Sequence, residues 1–295
     1  MSLNALLDSQ HEVVAVLTRP DAVAGRGRQV HRSAVAERAL EVGLPLLQPA
    51  SVNDDDFIAE LTTLKVDAAP IVAFGGLVSE PALTIPKFGW VNLHFSLLPA
   101  WRGAAPVQHS IMAGDDVTGA STFVLERGLD TGPVIGVVTE TIRSSDTSED
   151  LLARLAHSGA QLLVRSLDAI ADGSARPTAQ SEVGVSYAPK LHPADVAVDW
   201  TVPALAIDRL IRAATTSPGA WTTYSDQRLG LGPVQLVADD DSLQPGQLAV
   251  LKNELRVGTG SHAVRLGEVK PSGKRAMPAA DWARGARLDE SVVFG

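Results

Sequence analysis

Not one of the 295 residues is cysteine, which removes disulfides, thiolate nucleophiles and Cys-ligated metal from the available chemistry and fits a reducing compartment. Cytoplasm is the expected location. There is also no run of about 18 apolar residues, the length a membrane-spanning helix needs. The opening MSLNALLDSQHE has neither the basic head nor the long apolar stretch of an export signal, so no membrane partner and no secretion are expected. A GxGxxG dinucleotide fingerprint is missing as well; Gly25-Arg26-Gly27 leads into no immediate helix. Net positive charge is lacking, the formal balance being −9, and such a surface disfavours broad phosphate binding. Positive charge is concentrated instead in two places. Four arginines face one acid between Arg19 and Arg32, and six basic residues face two acids from Arg265 to Arg287.

Hydrophobic residues make up 45% of the chain, enough to fill one large or two ordinary domains. The first half alternates strand and helix signals. Val13 to Leu17 is a continuous apolar run of the kind shown by a strand buried on both faces, and the polar, Gly-rich TRPDAVAGRGRQVHRS after it is expected to be a long exposed loop. Ser33 caps a predicted helix over Ala34 to Val42 that Gly43 stops, and Leu44 to Leu47 is a short strand. A helix over Asp54 to Leu64 and a strand over Asp67 to Phe74 follow. Pro70 is expected to delay that strand, because proline lacks a ladder donor. Pro106 opens a helix to Ala113, and Val134 to Ile142 is a strand. Thr147 with Asp150 starts a helix to about Ala171, with Leu151, Leu152, Leu155, Leu162 and Leu163 at helical spacing. Such alternation predicts an α/β fold with a parallel sheet.

From Asp172 to Asp195 glycine and proline interrupt any regular element. The expected division is a first domain over 1–175, a linker over 176–195 and a second domain over 196–295. The last part holds a helix over Val202 to Ala213 and short strands at 234–237, 247–251, 254–257 and 262–269, a pattern that suggests a small antiparallel barrel.

Chemistry concentrates in VNLHFSLLP, residues 91–99, and GLDTG, residues 128–132. The first reads as the carboxyl end of a buried strand. Asn92 and His94, two residues apart, point to one face and can reach one reacting atom. Asp130 lies in a loop after the apolar run Ala120 to Leu125. An amide to polarise a carbonyl, an imidazole, and a carboxylate to orient it are the parts needed for acyl transfer to an amine. Ser96 lacks a GxSxG elbow, which favours a structural hydroxyl over a nucleophile. Gly75-Gly76 ends the preceding strand, where a parallel sheet opens its ligand crevice.

VNLHFSLLPAWRGAAP followed by GLDTG resembles the folate-dependent formyltransferases, and the similarity extends from TRPDAVAGRGR to PSGKRAM. The resemblance implies a Rossmann-like catalytic domain over 1–175 and an OB-like, tRNA-binding domain over 196–295. It implies 10-formyltetrahydrofolate as formyl donor, without metal, and the α-amino group of initiator methionyl-tRNA as acceptor. Asn92 and His94 would donate to the developing oxyanion, while Asp130 orients His94 and helps take the amine's proton. The folate would lie against Phe74, Gly75, Gly76, Leu77 and Val78, with Ser96, Leu97, Leu98 and Pro99. Arg26 and Arg28 would meet the tRNA acceptor stem, and Lys270, Lys274 and Arg275 its backbone. A monomer is expected. The family also opens with one more strand and a Gly-Thr-Pro turn in the middle of the sheet. This chain starts in what should be the following helix, so a break beside the Val13 strand is expected. Glycinamide ribonucleotide or amino-sugar formyltransferase, formyltetrahydrofolate hydrolase and a non-catalytic RNA-binding remnant remain as alternatives.

Overall fold

The computed structural model describes residues 1–24, 29–288 and 292–295. In chain order the first part runs α1 (Ser2–Leu7), β1 (Val16–Leu17), β2 (Ala22–Ala24), β3 (Gln29–His31), α2 (Ala34–Glu41), β4 (Leu46–Leu47), α3 (Asp55–Leu64), β5 (Ala69–Val72), α4 (Glu80–Leu83), β6 (Trp90–His94), α5 (Pro106–Ala113), β7 (Val117–Val124), β8 (Val134–Thr141) and α6 (Ser148–Ala171). The chain forms two compact units: Met1–Arg102, Gly119–Glu140 and Arg154–Ser186 make the first, and Gly103–Thr118, Thr141–Ala153 and Tyr187–Gly295 the second.

Local signals account for several boundaries. Ser33 Oγ accepts the Ala36 amide at 3.1 Å, opening α2, and Gly43 ends it at φ 72°. The predicted box ahead of α6 is formed. Thr147 Oγ1 and its amide both donate to Asp150 Oδ2, at 2.6 and 3.1 Å, and the Asp150 amide donates back to Thr147 Oγ1. Leu151, Leu155 and Leu163 are fully buried along α6, but Leu152 is turned outward and 40% exposed.

Parallel pairing occurs where alternation predicts it, in two separate pieces. β1 pairs with β4, and β5 with β6 at the edge of a four-stranded sheet ordered β5-β6-β7-β8, whose β7 is antiparallel to β6. Among the described residues β1 pairs only with β4, and β5 only with β6. Side chains bridge what the ladders do not: Leu17 and Leu47 join Phe57 and Leu61 of α3, Ile71 of β5 and Trp90 of β6 in one apolar cluster. Three expectations are corrected here. β5 begins at Ala69 and includes Pro70, which sits exposed on an edge strand where a missing N–H leaves no central ladder broken. The Val13 run contributes only two strand residues, and Val14 is exposed. The expected exposed loop contains an antiparallel pair, β2 with β3, that satisfies its own backbone groups.

The second unit adds α7 (Ala204–Ala214), β9 (Trp221–Tyr224), β10 (Gln227–Leu231), β11 (Val234–Val237), β12 (Leu248–Val250), β13 (Leu255–Val257), β14 (Ala263–Leu266), β15 (Glu268–Pro271), β16 (Met277–Pro278) and α8 (Ala279–Ala286). Where a small barrel is expected, these strands form two antiparallel four-stranded sheets, β16-β15-β10-β9 and β11-β14-β13-β12. They share one core in which Ile207, Ile211, Leu248, Leu255, Val257 and Val264 are fully buried. Full burial of each such side chain contributes about 1.5–3 kcal/mol. Arg212, also buried, pairs with Asp208 at 2.8 Å and donates to the Asp146 carbonyl at 2.9 Å. The hairpin of β9 and β10 escapes sequence reading because its turn places Ser225 and Asp226 at positive φ without glycine.

Candidate active site

His94 is the last residue of β6, a strand with a neighbour on each side, and its side chain is 7% exposed. Its Nε2 lies 2.9 Å from the carbonyl oxygen of Trp101. A carbonyl only accepts, so Nε2 carries a proton there and, in the neutral ring, the Nδ1 lone pair faces the other way. Asp130 Oδ2 stands on that side, 3.8 Å from Nδ1. Burial pushes the imidazole pKa below its ordinary value, while the Asp130 charge and the Trp101 carbonyl oppose that shift. Asn92 precedes His94 by two residues on the same face of β6 and is half-buried. No hydrogen bond among the described residues engages its amide, which leaves both N–H groups for a bound molecule.

The Asp130 loop is shaped by close backbone approach. A Cβ at Gly132 would collide with the Val124 carbonyl oxygen, and one at Gly128 with the Thr131 side chain. Asp130 itself is left-handed, at φ 52°. The loop after β6 is tied down as firmly. Ser96 is fully buried, and its Oγ donates to the Ala100 carbonyl at 2.6 Å. Ser121 Oγ donates to Ser96 O and accepts the Leu98 amide. Ser96 therefore has the structural hydroxyl role its sequence context favours.

Two residues that sequence reading gave no role meet the site. Gln180 Nε2 donates to the carbonyls of Asp130 and Gly132, at 2.7 and 2.8 Å. Its Oε1 accepts from Arg102 Nε and Nη2, at 3.1 and 2.7 Å. Arg102 could have been suspected from its place in Trp-Arg-Gly. Gln180 carries no sequence signal at all.

The predicted folate residues fall in two loops of the same unit. Phe74 to Val78 follow β5, with Gly75 at φ 71° and exposed apolar surface on Phe74 and Leu77. Leu97, Leu98 and Pro99 follow β6, and Leu97 lies so near Gly119 that a Cβ there would meet it at 2.6 Å. In the second unit Lys270 is exposed on β15, and Lys274 and Arg275 are exposed on the turn between β15 and β16. Arg26 and Arg28 lie outside the described residues.

An open α/β sheet with an amide and an imidazole at the end of one strand and a carboxylate in the loop 128–132 has the parts acyl transfer needs, and comparison with known proteins gives the class. Residues 1–167 match the formyl transferase family and residues 190–287 the formyl transferase C-terminal domain. The chain belongs to the formyl transferase family. It is 60% identical over 294 residues to the methionyl-tRNA formyltransferase of Thermobifida fusca (strain YX), covering 100% of this chain and 95% of that protein. It is 57% identical to the methionyl-tRNA formyltransferase of Streptomyces coelicolor over 295 residues, again 100% and 95% of the two chains. Among solved structures, the sugar 3N-formyl transferase WlaRD superposes with a TM-score of 0.68 at 15% identity, over 93% of this chain and 94% of that one. HypX from Aquifex aeolicus, in complex with tetrahydrofolic acid, superposes with a TM-score of 0.63 at 17% identity, over 83% and 43%. At such identity the two structures speak for the fold alone. No described helix is long and apolar enough to cross a membrane.

Proposed function

We propose that the chain transfers a formyl group from 10-formyltetrahydrofolate to the α-amino group of initiator methionyl-tRNA, in the cytoplasm and as a monomer. The observation that carries this reading is the His94 ring at the end of β6, between the Trp101 carbonyl and the Asp130 carboxylate, with the Asn92 amide beside it. High identity to two methionyl-tRNA formyltransferases supports the choice of acceptor. The folate supplies the formyl group. Exposed apolar surface on Phe74 and Leu77 suits its flat ring, with Gly75, Gly76, Val78, Leu97, Leu98 and Pro99 completing the cradle and the fully buried Ser96 holding the second loop from beneath.

Asn92 and His94 donate hydrogen bonds to the formyl oxygen as charge develops on it, each contributing on the order of 3 kcal/mol. Donation from Nδ1 requires the charged ring; burial disfavours that form and lowers the pKa on balance, and the adjacent Asp130 carboxylate works against the burial. Asp130 also orients the ring and, through water, helps take the amine's proton. Residues 1–175 carry the chemistry in this reading, 176–195 the connection, and 196–295 the grip on tRNA through Lys270, Lys274 and Arg275. Arg26 and Arg28 act at the acceptor stem. A formyl-transfer assay on charged initiator tRNA, run beside a tRNA-binding measurement, tests the reading. Turnover that disappears in His94→Ala supports it, whereas binding without turnover identifies an RNA-binding protein instead.

A further inference from the structure

We infer that Gln180 is a positioning residue for this site, its single amide tying the Asp130 loop to Arg102 and so to the Trp101–Arg102 corner, the two segments whose groups face the His94 ring. The inference rests on the catalytic reading above. A primary amide has two N–H groups and two acceptor lone pairs. All four are used here, two by the Asp130 and Gly132 carbonyls and two by the Arg102 guanidinium. Arginine only donates and carbonyls only accept, so the orientation of the amide is unambiguous.

What Gln180 joins are the two walls of the imidazole. Trp101 supplies the oxygen at Nε2, and Asp130 the oxygen at Nδ1. Both residues are non-glycine positions in left-handed backbone, at φ 59° and 52°, a conformation that persists only where surrounding contacts impose it. The segment from Thr178 to Ser186 supplies those contacts. Thr178 pairs with Val134 in both directions at 2.8 Å, and Ser186 accepts the Trp101 amide on Oγ and the Arg102 amide on its carbonyl, both at 2.9 Å. Gln180 lies between these anchors. A displacement of Asp130 by about 1 Å is enough to cost on the order of 100-fold in a site that works by alignment.

The test compares Gln180→Met, of similar volume but unable to hydrogen-bond as an amide, with Gln180→Glu, which keeps an acceptor for Arg102 but cannot donate to the two carbonyls. Both should lower kcat by roughly 10- to 100-fold with KM for folate and tRNA within about threefold, and with an unfolding midpoint close to wild type. The His94 ring signal in NMR, identified by its loss in His94→Gln, should titrate at lower pH in Gln180→Met, because the carboxylate that favours the charged ring has moved. Wild-type kcat in either variant, or an unshifted His94 titration, overturns the inference. Absence of formyl transfer by the wild-type chain would sink the catalytic reading instead, and the NMR titration would still decide the clamp.

Discussion

His94 Nε2 and the Trp101 carbonyl oxygen are 2.9 Å apart, so the loop that leaves β6 turns back to hold the ring that β6 delivers. This fixes which ring nitrogen faces Asp130 and which is committed to the backbone.

From that arrangement, Asn92→Ala, His94→Ala and Asp130→Ala should each lower turnover by at least about 100-fold, the scale of losing an oxyanion donor or an acid–base group. For Asn92→Ala folding should be largely retained, since the Asn92 side chain makes no hydrogen bond among the described residues and its backbone stays in the β6 ladders. Steady-state formyl transfer, with unfolding midpoints measured alongside, checks this. Near-native turnover in His94→Ala would remove the assignment.

Stability should depend on pH through the same ring. Burial lowers the folded pKa of His94 below its ordinary value of about 6.5, so below that pH the unfolded chain binds a proton the folded chain does not. The contribution is therefore fully present above about pH 6.5 and declines as pH falls toward the folded pKa, with a slope of at most about 1.4 kcal/mol per pH unit. Urea unfolding of wild type and His94→Gln at pH 7.5, 6.5 and 5.5 should show wild type losing more on acidification. Wild type gaining stability relative to His94→Gln as pH falls would have the wrong sign for this account.

Gly75 offers a way to separate the two substrates. It has open space around its Cβ position but stands at φ 71°, so a larger residue is strained in backbone rather than blocked by neighbours. Gly75→Val should weaken folate binding while tRNA affinity stays within about twofold. Calorimetry with folate and filter binding with tRNA give the two numbers, and parallel losses in both would indicate general misfolding.

On an acidic chain, tRNA binding should come from local positive surfaces. Lys274, exposed on the turn before β16, has no base edge to read in this proposal, and Lys274→Ala should weaken every methionyl-tRNA by a similar factor while flattening the salt dependence by roughly one unit of slope. Arg26→Ala should instead reduce discrimination between initiator and elongator methionyl-tRNA. Kinetics on both tRNAs across a salt series would distinguish these phenotypes, and identical behaviour of the two variants would leave only a general electrostatic surface.

By itself the sequence determined what depends on neighbours along the chain. The Ser33 cap, the Thr147 and Asp150 box and the common face of Asn92 and His94 were legible because capping and strand period involve residues two to four apart. Residue pattern alone also pointed to the family. Tertiary structure decided the rest. Pro70 could enter a strand because that strand lies at a sheet edge, a fact about pairing partners that no local window contains. The place of Gln180 depends on the backbone carbonyls of Asp130 and Gly132, to which its amide donates, and on left-handed turns at Trp101 and Asp130. Every residue carries a carbonyl, so such contacts leave no residue-type signature, and only the folded backbone brings them together.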